Sequence, residues 1–352
     1  MTLSVPTMRA AVFYGPEDLR VSNVPRPAIG DTELLVRVAA CAVCGSDVRT
    51  FRHGARNISQ PVVLGHEVSG TIAEVGAAVS GYSIGQRVAV APAIPCGECR
   101  YCRRGAETMC ERLQSIGYEF NGGLAEFLAV PSSAVRAGCV NSVPVNVSFD
   151  EAALAEPLAC VINAQELVDV GDDDTVVVLG AGPIGCLHAS LARIRRAAKV
   201  LLVDIRPERL QLAEAFGADC LIDGSREDVG ARVLEETNGE GASVVIVAAP
   251  SHQAQQQAVT LAAKRGRVNF FGGLPKTSPT ISLDANLVHY RELSIVGSYG
   301  SRPVHNRLAL ELVATGRLRL QALVGLELPL ERVVDGLHAV EQGRVLKVVV
   351  RP

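Results

Sequence analysis

Three glycines constrain the architecture of this chain more than any other feature. Gly180, Gly182 and Gly185 stand in the spacing G-x-G-x-x-G, directly after the apolar run Thr175–Leu179 and directly before a helical pattern that opens with Pro183. A glycine fingerprint alone is a weak signal, but a strand before it and a helix after it supply the context it requires. The first glycine makes a tight turn, the second lets the backbone approach a diphosphate, and the third allows helix and strand to pack closely. Pro183 suits the first helical turn, where its missing N–H costs nothing. Free N–H groups and the helix dipole at that point favour an anion. Gly180, Gly182, Pro183, Ile184 and Gly185 are therefore candidate contacts for a dinucleotide.

The flanking texture agrees. A helix is expected over 151–168, then a strand over 175–179, a helix over 183–195, a strand over 200–204 and a helix over 207–216. A helix near 228–237, a strand over 243–248, a helix over 252–263 and a strand over 267–271 follow. Such alternation means a parallel sheet wrapped on both faces, an α/β unit spanning 151–290. Asp204 ends the second strand, where a carboxylate accepts hydrogen bonds from ribose hydroxyls and repels a 2′-phosphate. That favours NAD over NADP, although Arg206 and Arg209 stand close by and can receive such a phosphate. The turns at 248–250, 271–273 and 296–298 follow later strands, where ligands of such sheets collect, and are expected on the nicotinamide side.

The first 150 residues read differently. Short apolar or alternating runs over 10–14, 34–38, 68–75, 87–90 and 126–130 are separated by Gly and Pro, the pattern of a small barrel or sandwich. After about residue 290 come a strand over 293–296, helices over 304–315 and 331–341, and a strand over 346–351. At 352 residues, 48% of them hydrophobic, the chain can fill two cores. A net charge of −3 without a basic block argues against a nucleic-acid partner. No apolar run approaches the length of a membrane span. The stretch MTLSVPTMRAAVFYG lacks the pattern of a signal peptide. Ten cysteines without a secretory signal read as metal ligands and buried thiols, which points to the cytoplasm.

Cys96, Cys99, Cys102 and Cys110 form the run C-x2-C-x2-C-x7-C. Four thiolates so close can close a tetrahedron around one zinc ion with no open position, so this run is read as a structural lobe over about 94–112. A second set is more scattered. Cys44 and His66 offer a thiolate and an imidazole, and a carboxylate from either Glu67 or Glu156 can complete a three-ligand site with an open fourth position. Zinc in such a site serves as a Lewis acid. Cys41, three residues before Cys44, is left without a matching pair and reads as core packing.

The stretch Gly65-His66-Glu67-Val68-Ser69-Gly70-Thr71-Ile72-Ala73-Glu74-Val75-Gly76 matches GHE-x2-G-x5-G. With Cys44, the four-cysteine run and the glycine fingerprint in this order, the chain resembles the zinc-containing medium-chain dehydrogenases over nearly its whole length. The resemblance implies a GroES-like, β-rich catalytic domain built from 1–150 with 291–352, around a Rossmann NAD-binding domain at 151–290. It also implies two zinc ions per chain, NAD, a homodimer or homotetramer, and an alcohol substrate, with neither nucleic acid nor membrane as partner. Hydride would pass from a secondary carbinol carbon to the nicotinamide, giving a ketone. The segment Glu156-Pro157-Leu158-Ala159 resembles the polyol (sorbitol or L-iditol) and threonine dehydrogenase branch, in which Glu156 meets zinc directly or through its water. By the same resemblance Cys44, His66 and Glu67 are zinc-associated, and Ser46 lies against the substrate oxygen to pass on its proton. Ser46, Glu67 and Glu156 are thus the catalytic candidates.

Two positions depart from the pattern. Many relatives carry a relay histidine where this chain has Arg49, which stays charged and cannot shuttle a proton near neutrality. Sorbitol dehydrogenases resemble one another in an Arg-Tyr pair after the strand near 296, whereas here Tyr299 and Arg302 are displaced. That weakens sorbitol itself but leaves polyols, inositol-like alcohols and amino alcohols. The loop 117–121, GYEFN, is expected to form one wall of the pocket. An L-threonine 3-dehydrogenase-like reaction, with Arg49 or Arg302 meeting the carboxylate, is the alternative. A non-catalytic relative is disfavoured because every metal ligand is present.

Overall fold

The computed structural model describes residues 6–58 and 61–352. The chain divides into two compact units, Met1–Ala159 with Gly300–Pro352, and Cys160–Tyr299. Both joins fall a little after 150/151 and 290/291, so Glu156 belongs to the first unit.

The second unit is built on a six-stranded parallel sheet. In chain order its strands are Thr175–Leu179, Lys199–Asp204, Cys220–Asp223, Ala242–Val247, Ala262–Phe270 and Ser294–Gly297. They lie side by side in the order 3-2-1-4-5-6, every pairing parallel. In this doubly wound order ligands collect where the order reverses, beyond the carboxyl ends of the first and fourth strands. Val176, Val177, Val178, Leu201, Val244, Val245 and Ile246 are wholly buried, as strands covered on both faces require. Helices Pro183–Ile194, Pro207–Ala213, Val229–Glu236 and His252–Leu261 make the crossovers, the last two capped by Asp228 and Ser251.

The helix expected over 151–168 is in fact two, Phe149–Ala153 and Ala155–Leu167, parted at Leu154. Pro157 explains the break. Inside a continuous helix it would remove the N–H owed to residue 153 and crowd that carbonyl, whereas a fresh first turn tolerates it. Ser148 caps the first helix, its hydroxyl accepting from the Glu151 N–H at 3.2 Å. The fifth strand starts at Ala262, ahead of 267, because the preceding helix stops at Leu261 and Ala262 is already extended.

The first unit is β-rich. Strand Leu34–Ala42 is the hub of a seven-stranded sheet. One of its edges meets Glu67–Val75; the other meets Phe127–Val130 at one end and Lys347–Arg351 at the opposite end. Val349 lies opposite Ala42 and Val350 opposite Cys41, so residues from 347–351 complete the sheet that carries His66 and Glu67. Leu34, Val36, Ile72, Leu124, Leu128 and Val348 lie in the core beneath it. Helix Gly45–His53 and strands Asp18–Pro25 and Val324–Pro329 complete elements that periodicity alone does not disclose. Among the described residues no helix is long and apolar enough to cross a membrane.

Candidate metal centre and cofactor loop

Cys44 immediately precedes helix Gly45–His53, and the Asp47 carboxylate closes that first turn by accepting from the Cys44 N–H at 2.9 Å. The other Asp47 oxygen meets His66 Nδ1 at 3.2 Å. This directs Nε2 away from the carboxylate, to 3.5 Å from Ser46 Oγ. A ring held so by a carboxylate presents its second nitrogen to a metal. Burial opposes a charge on His66, but Asp47, with help from Cys44, outweighs it and lifts the imidazole pKa well above its ordinary value.

Glu67, the first residue of its strand, is fully buried. Cys44, His66 and Glu67 bring one ligand atom each within 4.8 Å of the others. Lys347, only 3% exposed, reaches Glu67 Oε1 from the terminal strand and donates to the Val43 carbonyl at 3.4 Å. Burial again opposes the charge, but Glu67, Cys44 and Glu156 raise the Lys347 pKa and keep it protonated. Glu67 Oε2 has no hydrogen-bond partner among the described residues. A buried carboxylate oxygen without a partner is destabilising. Beside a thiol and an imidazole it is the donor a divalent cation takes, so this set fits zinc. Glu156, half-buried in the first turn of Ala155–Leu167, falls outside the three-residue group, although its charge acts on Lys347.

The four lobe cysteines also lie within 4.8 Å of one another. Cys96 and Cys102 sulfurs are 3.9 Å apart, and Cys99 and Cys102 sulfurs 3.5 Å. A tetrahedron with zinc–sulfur bonds of about 2.3 Å has edges of about 3.8 Å, so the spacing fits the ion. Backbone N–H groups of Cys99, Cys102 and Arg112 point at the sulfurs of Cys96, Cys99 and Cys110, at 3.4, 3.5 and 3.3 Å. Such donors, led by the Glu98 N–H, bring the Cys96 thiol down to about 6, whereas burial and then Cys99 push Cys102 up to about 12. Cys41 is fully buried in the core, where burial raises its pKa.

In the second unit the first and third glycines take up the tight turn and the close approach that their spacing calls for. Gly180 has φ 110°, a conformation few side chains tolerate, and a Cβ on Gly185 would lie 1.7 Å from the Gly180 carbonyl. Gly182 is the N-cap of Pro183–Ile194, with Pro183 and Ile184 opening the helix. Arg209 Nη1 lies 3.5 Å from where a Gly182 Cβ would stand. Asp204 is buried, and its oxygens accept from Ala181 N at 2.7 Å and Arg206 N at 2.9 Å. It therefore ties the glycine loop to the strand end, and each oxygen retains acceptor capacity for a ribose hydroxyl. Ile205 beside it is 71% exposed, an apolar surface next to that carboxylate. A Cβ on Gly272 would lie 2.6 Å from the Ala249 carbonyl, so the turns after the fourth and fifth strands abut. The loop fits a dinucleotide diphosphate.

Residues 30–139 match the alcohol dehydrogenase GroES-like domain, and residues 183–315 match the zinc-binding dehydrogenase family. An L-threonine 3-dehydrogenase of Rhizobium johnstonii is 32% identical, covering 97% of this chain and 98% of that protein. A sorbitol dehydrogenase of Bombyx mori is 31% identical, with 97% of each chain covered. A solved zinc-binding dehydrogenase of Sinorhizobium meliloti, bound to NADP, superposes with a TM-score of 0.92 at 32% identity, over 99% of this chain and 100% of that one. This chain belongs to the zinc-binding alcohol dehydrogenase family. The dehydrogenase is a zinc-dependent oxidoreductase that uses a nicotinamide cofactor.

Two residues of this dehydrogenase escape its sequence motifs. Asp47 and Lys347 hold the metal cluster, yet neither falls in a recognised motif. For Lys347 the available signal was a single charge inside the apolar run 346–350. Tyr118, part of the predicted pocket wall, sets its ring over His66 with centroids 6.0 Å apart. Arg49 is exposed on helix Gly45–His53. Arg302 caps helix Pro303–Ala314, donating to the Gly105 carbonyl at 3.4 Å and lying 2.8 Å from His305 Nε2, while Tyr299 is 65% exposed.

Proposed function

We propose that this dehydrogenase oxidises a secondary alcohol bearing further hydroxyls, a polyol or inositol-like compound, to the ketone with NAD as hydride acceptor. The observation that carries the reading is the Cys44–His66–Glu67 group, half-buried at Cys44 and buried at the other two, with Glu67 Oε2 left unpartnered. Zinc held there supplies Lewis acidity toward an alcohol oxygen, and the nicotinamide supplies the hydride acceptor. Cys44 and His66 hold the metal, completed by Glu67 or, through water, by Glu156. Asp47 keeps His66 Nδ1 occupied so that Nε2 stays directed at the ligand position. Lys347 offsets the Glu67 charge and limits that carboxylate to one oxygen for the metal. Ser46 Oγ takes the alcohol proton and hands it to water, because Arg49 is exposed and permanently charged.

Cys96, Cys99, Cys102 and Cys110 hold a second, structural zinc. The Asp204 carboxylate favours NAD, with Arg206 and Arg209 as the opposing feature. The enzyme is read as a cytoplasmic homodimer or homotetramer. Arg302, engaged with Gly105 and His305, supports a polyol over L-threonine.

The test is a metal assay joined to a substrate panel. The purified protein should hold about two zinc per chain. Polyols, inositols and L-threonine would each be tested with NAD and NADP, the highest kcat/KM being expected for a polyol with NAD. An advantage of about tenfold for L-threonine or for NADP overturns that part of the reading. Absence of cofactor reduction with every secondary alcohol overturns it altogether.

A further inference from the structure

We propose that Gln255 is a positioning residue for the nicotinamide half of the cofactor, its side-chain amide bracing the turns at 248–250 and 271–273 against which that half lies. The inference rests on the use of a nicotinamide cofactor and not on the choice of alcohol.

The strand order places the two turns. A doubly wound sheet of this order binds a dinucleotide one half to each side of the point where the order reverses. With the adenosine ribose at Asp204, on the second strand, the nicotinamide half is left the ends of the fourth and fifth strands. The turn after the fourth strand touches the glycine loop directly. Ala248 N donates to the Leu179 carbonyl at 2.8 Å, and a Cβ on Gly180 would lie 3.1 Å from Ala249 Cβ. The turn after the fifth strand is drawn onto its neighbour, because Phe271 N and Gly272 N both donate to the Val247 carbonyl, at 3.2 and 2.9 Å. Pro250 and Gly273 at the tips are exposed, so both turns face solvent where a ligand can reach them.

Gln255 joins the two. Its helix, His252–Leu261, grows out of the first turn: Ser251 N donates to the Ala249 carbonyl at 2.9 Å, and the Ser251 hydroxyl accepts from Ala254 N at 3.2 Å. One helical turn on, Gln255 N donates to the Ser251 carbonyl at 3.1 Å. Its side chain, only 5% exposed, sends Nε2 to the Gly272 carbonyl at 2.8 Å. A residue anchored in one turn thus holds the other. Packing of this helix is served by the buried Ala258 and Val259, whereas the Gln255 amide adds a fixed point for the turn. From the other side the Phe271 ring meets His188, on the glycine-loop helix, edge to face with centroids 5.1 Å apart. A surface held in place before binding spares the ligand the cost of ordering it, so a brace of this kind adds affinity without touching the ligand.

The experiment compares NADH with ADP-ribose, which lacks the nicotinamide, binding to wild type and to two variants. Gln255→Met keeps the length without the donor, and Gln255→Asn keeps the amide but shortens its reach. In the calorimeter NADH should bind each variant about tenfold more weakly, the effect of one hydrogen bond, and ADP-ribose should change by less than about twofold. The 2′-phosphorylated forms of both ligands are measured in parallel, so a preference for NADP leaves the comparison intact. Equal weakening of both ligands, or of neither, overturns the proposal. Hydrogen exchange on wild type tests the placement without any variant: NADH should slow exchange at 247–251 and 271–273 more than ADP-ribose does, and equal slowing also overturns it. None of these measurements needs turnover, so they stand whether or not a polyol is oxidised.

Discussion

The two ligand clusters of the first unit solve the same chemical problem in opposite ways. In the cysteine lobe, four sulfurs come from residues 96–110, and the N–H groups that turn toward them come from residues 99–112. At Cys44, His66 and Glu67 the ligands come from a helix start and a strand start, oriented by Asp47 and neutralised by Lys347, a residue 280 positions from Glu67. The lobe offers four thiols, a set that zinc would fill with no open position. The second cluster mixes a thiol, an imidazole and a carboxylate, and a hydroxyl stands at its edge. A closed site can be local because it only has to hold the ion. A site that must also admit a substrate has to be assembled from several directions.

That contrast is broken most sharply by exchanging one ligand in each cluster. Cys44→Ser should abolish turnover, by at least about a thousandfold, while about one zinc per chain remains in the lobe. Cys102→Ser should also lower zinc to about one per chain, but chiefly by loosening the lobe, so the remaining ion keeps measurable activity. Metal analysis with steady-state rates decides this. Equal activity loss in both variants would erase the distinction.

Lys347→Met sharpens it next. Removing the lysine leaves Glu67 charged, buried and unpaired, a loss of about 3–5 kcal/mol by analogy with broken buried pairs. The loss should be full in denaturant titrations with a chelator present and smaller with zinc, since the ion compensates the same carboxylate. An equal loss under both conditions would separate Glu67 from the metal. The smallest effect is expected from Asp47→Asn, which frees the His66 ring and should weaken zinc binding at that cluster by about 10–100-fold.

The same pair gives a sign for pH. In the chelated protein the charged His66–Asp47 pair stabilises fully below about pH 6.5 and its contribution fades as pH rises through the raised His66 value. Zinc uptake runs the other way, because the metal displaces that proton and binds more tightly as pH increases. Competition with a chelator at acid and neutral pH measures the slope, which Asp47→Asn should flatten.

Legibility in the sequence followed the same division. Strand Thr175–Leu179 and the helix after it were readable because every requirement, apolar run, glycine spacing and Pro183, lies within a dozen residues. The lobe was readable for the same reason. Helix Gly45–His53 was not, since it is short, mostly polar and capped through a cysteine and Asp47. The break at Leu154 could have been anticipated from Pro157, a residue that weighs more than the periodicity around it. His66 and Glu67 were visible as a motif, but the choice between Glu67 and Glu156 was open because nothing local shows which carboxylate Lys347 approaches. Tertiary neighbours decide such questions.

The pairing of Leu34–Ala42 with Lys347–Arg351 also has a consequence for the order of assembly. Residues 160–299 form a continuous stretch whose sheet can close from its own strands, whereas the hub strand of the other unit waits for a partner some 300 residues away. Closing so long a loop is slow and leaves a sheet edge open in the meantime. During synthesis the glycine loop thus becomes competent early, and the Cys44 cluster acquires its neutralising lysine last.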